Sequence, residues 1–204
     1  MRLILASTSP RRKALLEKLG IAFDIVAPDY QEVITPSLKP EQQAVAFALG
    51  KAQSVGVPTA VGVPTSDAFI LGSDTLVVYN SSGASSLILG KPKDVCDARR
   101  MLSLLRGRTH RVITGIALII PRGTVVTWYE VTEVRMHNMS DAQIEWYLST
   151  QEPFDKAGAY AIQEKGGRFI AQVCGNIDNV AGLPLQSVAT ALRRYGFAVP
   201  AFPN

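Results

Sequence analysis

A mixed α/β fold is what this chain predicts, on three observations. Short apolar runs rich in β-branched residues alternate with stretches whose apolar residues recur at helical spacing. Two long runs rich in Val, Ile and Thr, Thr109 to Ile120 and Thr124 to Met136, flank Pro121-Arg-Gly123 as the arms of a hairpin would, so the sheet is not purely parallel. The chain has 204 residues, 47% of them hydrophobic, which suffices for one compact folding unit spanning 1–204, open to division into two lobes.

Arg2 to Ala6 read as the first strand. Ser9 then Pro10 start a helix, a capping hydroxyl followed by proline at the first helical position. The helix runs from Arg11 to Leu19, turns Ala14, Leu15, Leu16 and Leu19 inward, and stops at Gly20. Ile21 to Val26 form a second strand, and a polar loop with Asp29, Glu32 and Pro36 leads to a helix from Pro40 to Ser54. Val55-Gly-Val-Pro-Thr-Ala and Val61-Gly-Val-Pro-Thr-Ser are near duplicates, too short and too rich in Pro and Gly to be architectural repeats, and read as a surface excursion. Phe69 to Tyr79 is a buried strand, and Asn80 to Ser86 the tip of a hairpin. Asp94 caps a helix to Leu105 with Ala98, Met101, Leu102 and Leu105 inward. After the long hairpin, Ser140 with Gln143 makes a capping box for a helix over Asp141 to Ser149. A turn at Glu152-Pro153, an irregular glycine-containing segment, a strand from Phe169 to Val173 and a helix from Pro184 to Tyr195 complete the chain.

The net charge is +4, but the basic residues are dispersed, which suits an anionic small molecule better than nucleic acid. Cys96 and Cys174 are the two cysteines; their separation matches neither a metal motif nor a bridge framework, so a reducing, cytoplasmic setting is expected. Pro10-Arg-Arg-Lys interrupts the opening apolar run before a secretory leader is complete, and no apolar stretch is long enough to predict a membrane span.

The chemistry centres on Asp74, a carboxylate inside an otherwise apolar strand. Leaving such a group ionised there costs several kcal/mol unless cations or donors compensate. Two readings stand: a metal-binding carboxylate or general base for water, or a side chain satisfying turn amides. Gly72 would let a ligand approach the backbone, and Thr75 offers a hydroxyl. Ser7-Thr-Ser-Pro-Arg-Arg12 lies at a strand-to-helix junction, where backbone N–H groups and the helix dipole favour an anion. Arg11 and Arg12 add guanidinium forks for phosphate; the alternative is a plain cap with solvated arginines. Lys91, in Gly90-Lys-Pro92, stands before the capped helix, and Asp155, Lys156 and Gln163 gather around glycine. The Gln163 amide suits base recognition, with an Asp155–Lys156 surface pair and a solvated amide as the alternative. Only His110 and His137 are present, and neither a Walker A sequence nor GxGxxG occurs, so a histidine triad or zinc site finds little support. Oxygen ligands remain, and any metal would be a hard one, magnesium or manganese.

Leu5-Ala-Ser-Thr-Ser-Pro-Arg-Arg, Leu71-Gly-Ser-Asp-Thr, Leu89-Gly-Lys-Pro-Lys-Asp, Gly107 to Gly115, Glu152 to Gln163 and Asn179-Val-Ala-Gly-Leu-Pro-Leu follow in order. Together they resemble the Maf family, the septum formation inhibitor proteins, which are nucleoside triphosphate pyrophosphatases. The resemblance implies a twisted central sheet flanked by helices around an active-site cleft, similar to the inosine triphosphatase proteins. It implies a homodimer and a divalent cation, with hydrolysis of the triphosphate to monophosphate and pyrophosphate. By position it implies Ser7, Arg11, Arg12, Lys51 and Lys91 for phosphate, Glu32 for metal or water, Asp74 as base and metal ligand, and Gln163 for substrate choice. The form Lys-Ala-Gly-Ala-Tyr-Ala-Ile-Gln163 resembles the subgroup acting on dTTP and UTP rather than on 7-methyl-GTP. Departures are Thr8 for a common glycine, Ser73 for alanine, Gly50 for glutamate before Lys51, and Gln31-Glu32 for a pair of acids. Competing expectations are a pyrophosphatase for a modified nucleotide and a non-catalytic nucleotide- or nucleic-acid-binding regulator of division.

Overall fold

The computed structural model describes residues 1–56, 67–80 and 86–201. The strands are β1 (Arg2–Ala6), β2 (Asp24–Val26), β3 (Ala68–Tyr79), β4 (Leu87–Leu89), β5 (Thr109–Ile119), β6 (Val125–Met136) and β7 (Ile170–Cys174). The helices are α1 (Pro10–Glu17), α2 (Pro40–Gly56), α3 (Val95–Leu105), α4 (Asp141–Ser149), α5 (Ile177–Ala181) and α6 (Leu185–Arg194). The sheet is mixed: β1 pairs parallel with β2 and β3, while β4 on β3 and β7 on β6 are antiparallel.

The chain divides into two compact units, Met1–Asp74 with Thr114–Glu130 and Gly182–Asn204, and Thr75–Ile113 with Val131–Ala181. In the first, α1 and α2 carry the chain across from β1 to β2 and from β2 to β3, giving the order β2-β1-β3. Leu3 to Ala6 of β1 are fully buried, and Ile4, Ala6, Ala48, Ala52, Ala68, Ile70 and Ala117 form one core. The second unit packs α3 and α4 residues, among them Met101, Leu102, Ile144 and Tyr147, with Val77, Val112, Val134 and Phe169.

Local signals predicted the caps correctly. Ser9 Oγ accepts from the Arg12 N–H at 3.4 Å, Asp94 Oδ1 from the Asp97 N–H at 2.8 Å, and Ser140 and Gln143 close a reciprocal box at 3.2 and 2.8 Å. All four inward residues expected of α3 are buried. Three expectations change. Ala14 is exposed, because α1 turns Leu15 and Leu16 to the core and ends at Glu17; Leu19, just beyond it and before the left-handed Gly20, is buried as expected. The second strand shortens to Asp24–Val26, since the chain leaving the Gly20 turn reaches β1 only opposite Ile4. Helix α5 lay in a segment read only as a motif. Most of the duplicated segment, 57–66, and most of the predicted hairpin tip, 81–85, lie outside the described residues.

Candidate active site

β1 and β3 run parallel with Ala6 beside Gly72. Ser7 on one strand, and Ser73 and Asp74 on the other, therefore follow at the same, carboxyl end of the pair. Open α/β sheets bind ligands at this end, where successive connections leave a strand to opposite sides. β1, flanked by β2 and β3, is such a place.

Helix α2 is brought there by small residues. Ala44, Ala48 and Ala52 recur every fourth position, and glycine lies beneath them. A Cβ on Gly72 would stand 2.2 Å from the Ala48 carbonyl oxygen, and one on Gly115 2.2 Å from the Ala44 carbonyl carbon. The space that sequence assigned to a ligand at Gly72 is thus filled by the helix backbone. This closeness delivers Lys51. The residue is 8% exposed, and its ammonium pairs with Asp74, itself 5% exposed, and with Glu32 Oε1 at 2.5 Å.

Buried charges of this kind persist only when paired. Burial pushes the Asp74 carboxyl above the usual carboxylate range, Lys51 and Arg12 pull it back, and Glu32 raises it again. The balance leaves a carboxylate more basic than one in water, the direction a proton acceptor requires.

Glu32 is seated by its neighbours in the segment between β2 and α2. The Tyr30 ring lies over Gly50, where a Cβ would come within 2.1 Å of Cε2, and meets Phe47 edge-on with ring centres 6.3 Å apart. Buried Gln43 accepts from the Thr35 N–H at 2.7 Å and donates to the Val33 carbonyl at 3.5 Å. Gly50, which appeared as a departure in the sequence, is the residue that makes room for this seat. Sequence reasoning missed Tyr30 and Gln43, because an aromatic two positions before an acid and a glutamine on a helix carry no local mark of their contact.

Arg12 Nε donates to the Gly182 carbonyl at 3.0 Å, and Nη1 lies 3.5 Å from Ser7 Oγ. Ser73 Oγ donates to the same Gly182 carbonyl at 3.0 Å, so the serine that departs from the expected alanine has a partner. Burial lowers the Arg12 pKa, Asp74 counters it, Arg11 lowers it further and Glu32 raises it. The guanidinium stays charged throughout. The N–H groups expected to be open to an anion at the start of α1 are partly used, Ser9's by Ser7 Oγ at 3.1 Å and Arg12's by Ser9 Oγ. The positive character of this corner therefore rests on the half-buried Arg11 and Arg12 side chains.

Thr75 follows Asp74 in β3 and is half-buried. Lys91 and Gln163 belong to the second unit, and both are exposed. In the same stretch Lys156 is 6% exposed and pairs with Asp155, with Glu164 at 3.6 Å, so the surface pair expected there has a buried cation.

Asp74 and Glu32 direct one oxygen each at a single ammonium, and among the described residues no cluster of three or more His, Cys, Asp or Glu forms. Two hard oxygen donors converging on one cation fit magnesium or manganese, which commonly complete their shells with phosphate oxygens and water. The whole group can hold a polyphosphate by its guanidinium groups beside a carboxylate able to take a proton.

Residues 2–195 match the family described as Maf-like protein. A dTTP/UTP pyrophosphatase of Anaeromyxobacter dehalogenans is 43% identical over 202 residues, covering 98% of this chain and 96% of that protein. One from Bacillus cereus is 41% identical over 198 residues, covering 97% and 92%. Among solved structures, a HAM1 protein from Coxiella burnetii aligns over 95% of this chain and 99% of its own at 13% identity, with a TM-score of 0.47.

Proposed function

The chain belongs to the Maf family, and from that premise we propose that it hydrolyses dTTP and UTP to the nucleoside monophosphate and pyrophosphate. The observation that carries the reading is Asp74: a buried carboxylate, shifted toward basicity, beside Arg12 and linked through Lys51 to Glu32.

In this mechanism Asp74 orients the attacking water and accepts its proton as the oxygen bonds to the α-phosphorus. The bond from that phosphorus to the bridging oxygen breaks in line, and pyrophosphate leaves with the electron pair. Arg12, held by the Gly182 carbonyl, and Arg11 neutralise charge moving onto the leaving group, the main task in phosphoryl chemistry. Lys51 and Lys91 share that task, Ser7 positions Arg12, Thr75 offers a hydroxyl to the phosphates, and Gln163 reads the pyrimidine edge with its paired donor and acceptor. Asp74 and Glu32 would hold a divalent cation, which when bound would supply charge neutralisation at the phosphates and lower the pKa of water. The working form is a homodimer in the cytoplasm. Cys96 and Cys174 are free and exposed, and no helix among the described residues is long and apolar enough to cross a membrane.

A panel of canonical and methylated triphosphates with magnesium or manganese tests this, reading pyrophosphate release. Release is expected chiefly from dTTP and UTP, and Asp74→Asn should lower it about 10²- to 10⁴-fold. Release from none would refute the activity, and release chiefly from 7-methyl-GTP would refute the role of Gln163.

A further inference from the structure

Lys51 already holds the place the proposed function reserves for a divalent ion. Its ammonium pairs with Asp74 Oδ1 and lies 2.5 Å from Glu32 Oε1. An ammonium and a divalent ion would compete for the same oxygens, and together there they would bring like charges into contact in a poorly solvated site. Two features let the lysine yield. Its flexible four-carbon stem can swing a point charge without moving α2. The Glu32 side chain is 48% exposed, so an ion has an approach from solvent, and Tyr30 over Gly50 seats the loop independently of the ion pair.

We propose that Lys51 is the site's stand-in cation: its ammonium keeps Asp74 and Glu32 together in the metal-free protein and leaves them when a divalent ion enters, turning to the phosphate oxygens of the nucleotide. The lysine thereby holds metal affinity down until a triphosphate is present to receive the ammonium. Metal and nucleotide then bind with positive coupling, each strengthening the other by the same factor. The inference rests on the metal site proposed above.

The test is binding of Mn²⁺ without nucleotide, followed by titration calorimetry on the full chain and on Lys51→Met. With the competing charge removed, the variant should bind Mn²⁺ about tenfold more tightly than the wild type, a usual size for such coupling. Equal or weaker binding by a folded variant, or no saturable binding by either protein, overturns the inference. Should Lys51→Met fail to fold, the wild type decides. With ¹⁵N-labelled lysine, the ammonium signal of Lys51, protected from exchange by its ion pairs, should vanish or shift on adding Mg²⁺. A signal unchanged through excess Mg²⁺ overturns the inference. Neither readout involves turnover, so pyrophosphate release can fail or succeed separately.

Discussion

His110 has no part in the proposed chemistry, yet its burial makes it a pH sensor of folding. The ring is 2% exposed, its Nε2 lies 2.7 Å from the Tyr160 hydroxyl oxygen, and its Nδ1 has no partner among the described residues. Burial lowers the pKa from 6.5 to about 4. Above pH 6.5 the ring is neutral whether the chain is folded or not, and it leaves stability unchanged. Between 6.5 and about 4 the unfolded chain takes up a proton that the folded one refuses, so stability falls as pH falls, by about 3 kcal/mol across the window. The denaturant midpoint should decline over that range, and His110→Gln should lose this part of the slope while keeping the carboxylate part at lower pH. Identical pH profiles for the two proteins would contradict the burial argument.

Among the elements, α2 does most to build the site, and its seat depends on glycines. Gly50→Ala would drive a methyl into the Tyr30 ring. Displacing that ring should cost about 1–3 kcal/mol of stability and raise, several-fold, the Mn²⁺ concentration needed for half-maximal activity, as Glu32 shifts. A wild-type melting point with unchanged metal dependence would show that Tyr30 does not position the loop. The same helix marks the limit of what sequence could tell. Ser9-Pro10, Asp94 and Ser140 with Gln143 were legible because a cap is completed within three or four residues. Ser7, Arg12 and Asp74 were legible by motif, and the parallel register of β1 and β3 puts them at one end. The contact of Ala48 with Gly72, the Gln43 hold on Val33 and Thr35, and the convergence of Glu32 and Asp74 on Lys51 were not legible from local pattern. Each depends on a meeting of distant segments that leaves no periodicity in the chain.

For the molecule as a whole, neither compact unit is a contiguous piece of chain, and β3, β5 and β6 each contribute residues to both. Strands shared in this way should make unfolding a single event. The two tryptophans can test it, since Trp128 belongs to one unit and Trp146 to the other. Trp128→Phe and Trp146→Phe, each followed by the remaining tryptophan's fluorescence and by circular dichroism, should give coincident curves within each variant. A fluorescence midpoint separated from the dichroism midpoint would show independent unfolding. The division also sets a timetable. Gly182, whose carbonyl receives both Arg12 and Ser73, is the first residue of the last segment to join its unit. A nascent chain thus carries Arg12, Lys51 and Asp74 long before it carries the atom that aims Arg12. Synthesis broken off just short of Gly182 would leave every proposed reactive side chain present and the Arg12 guanidinium without its anchor.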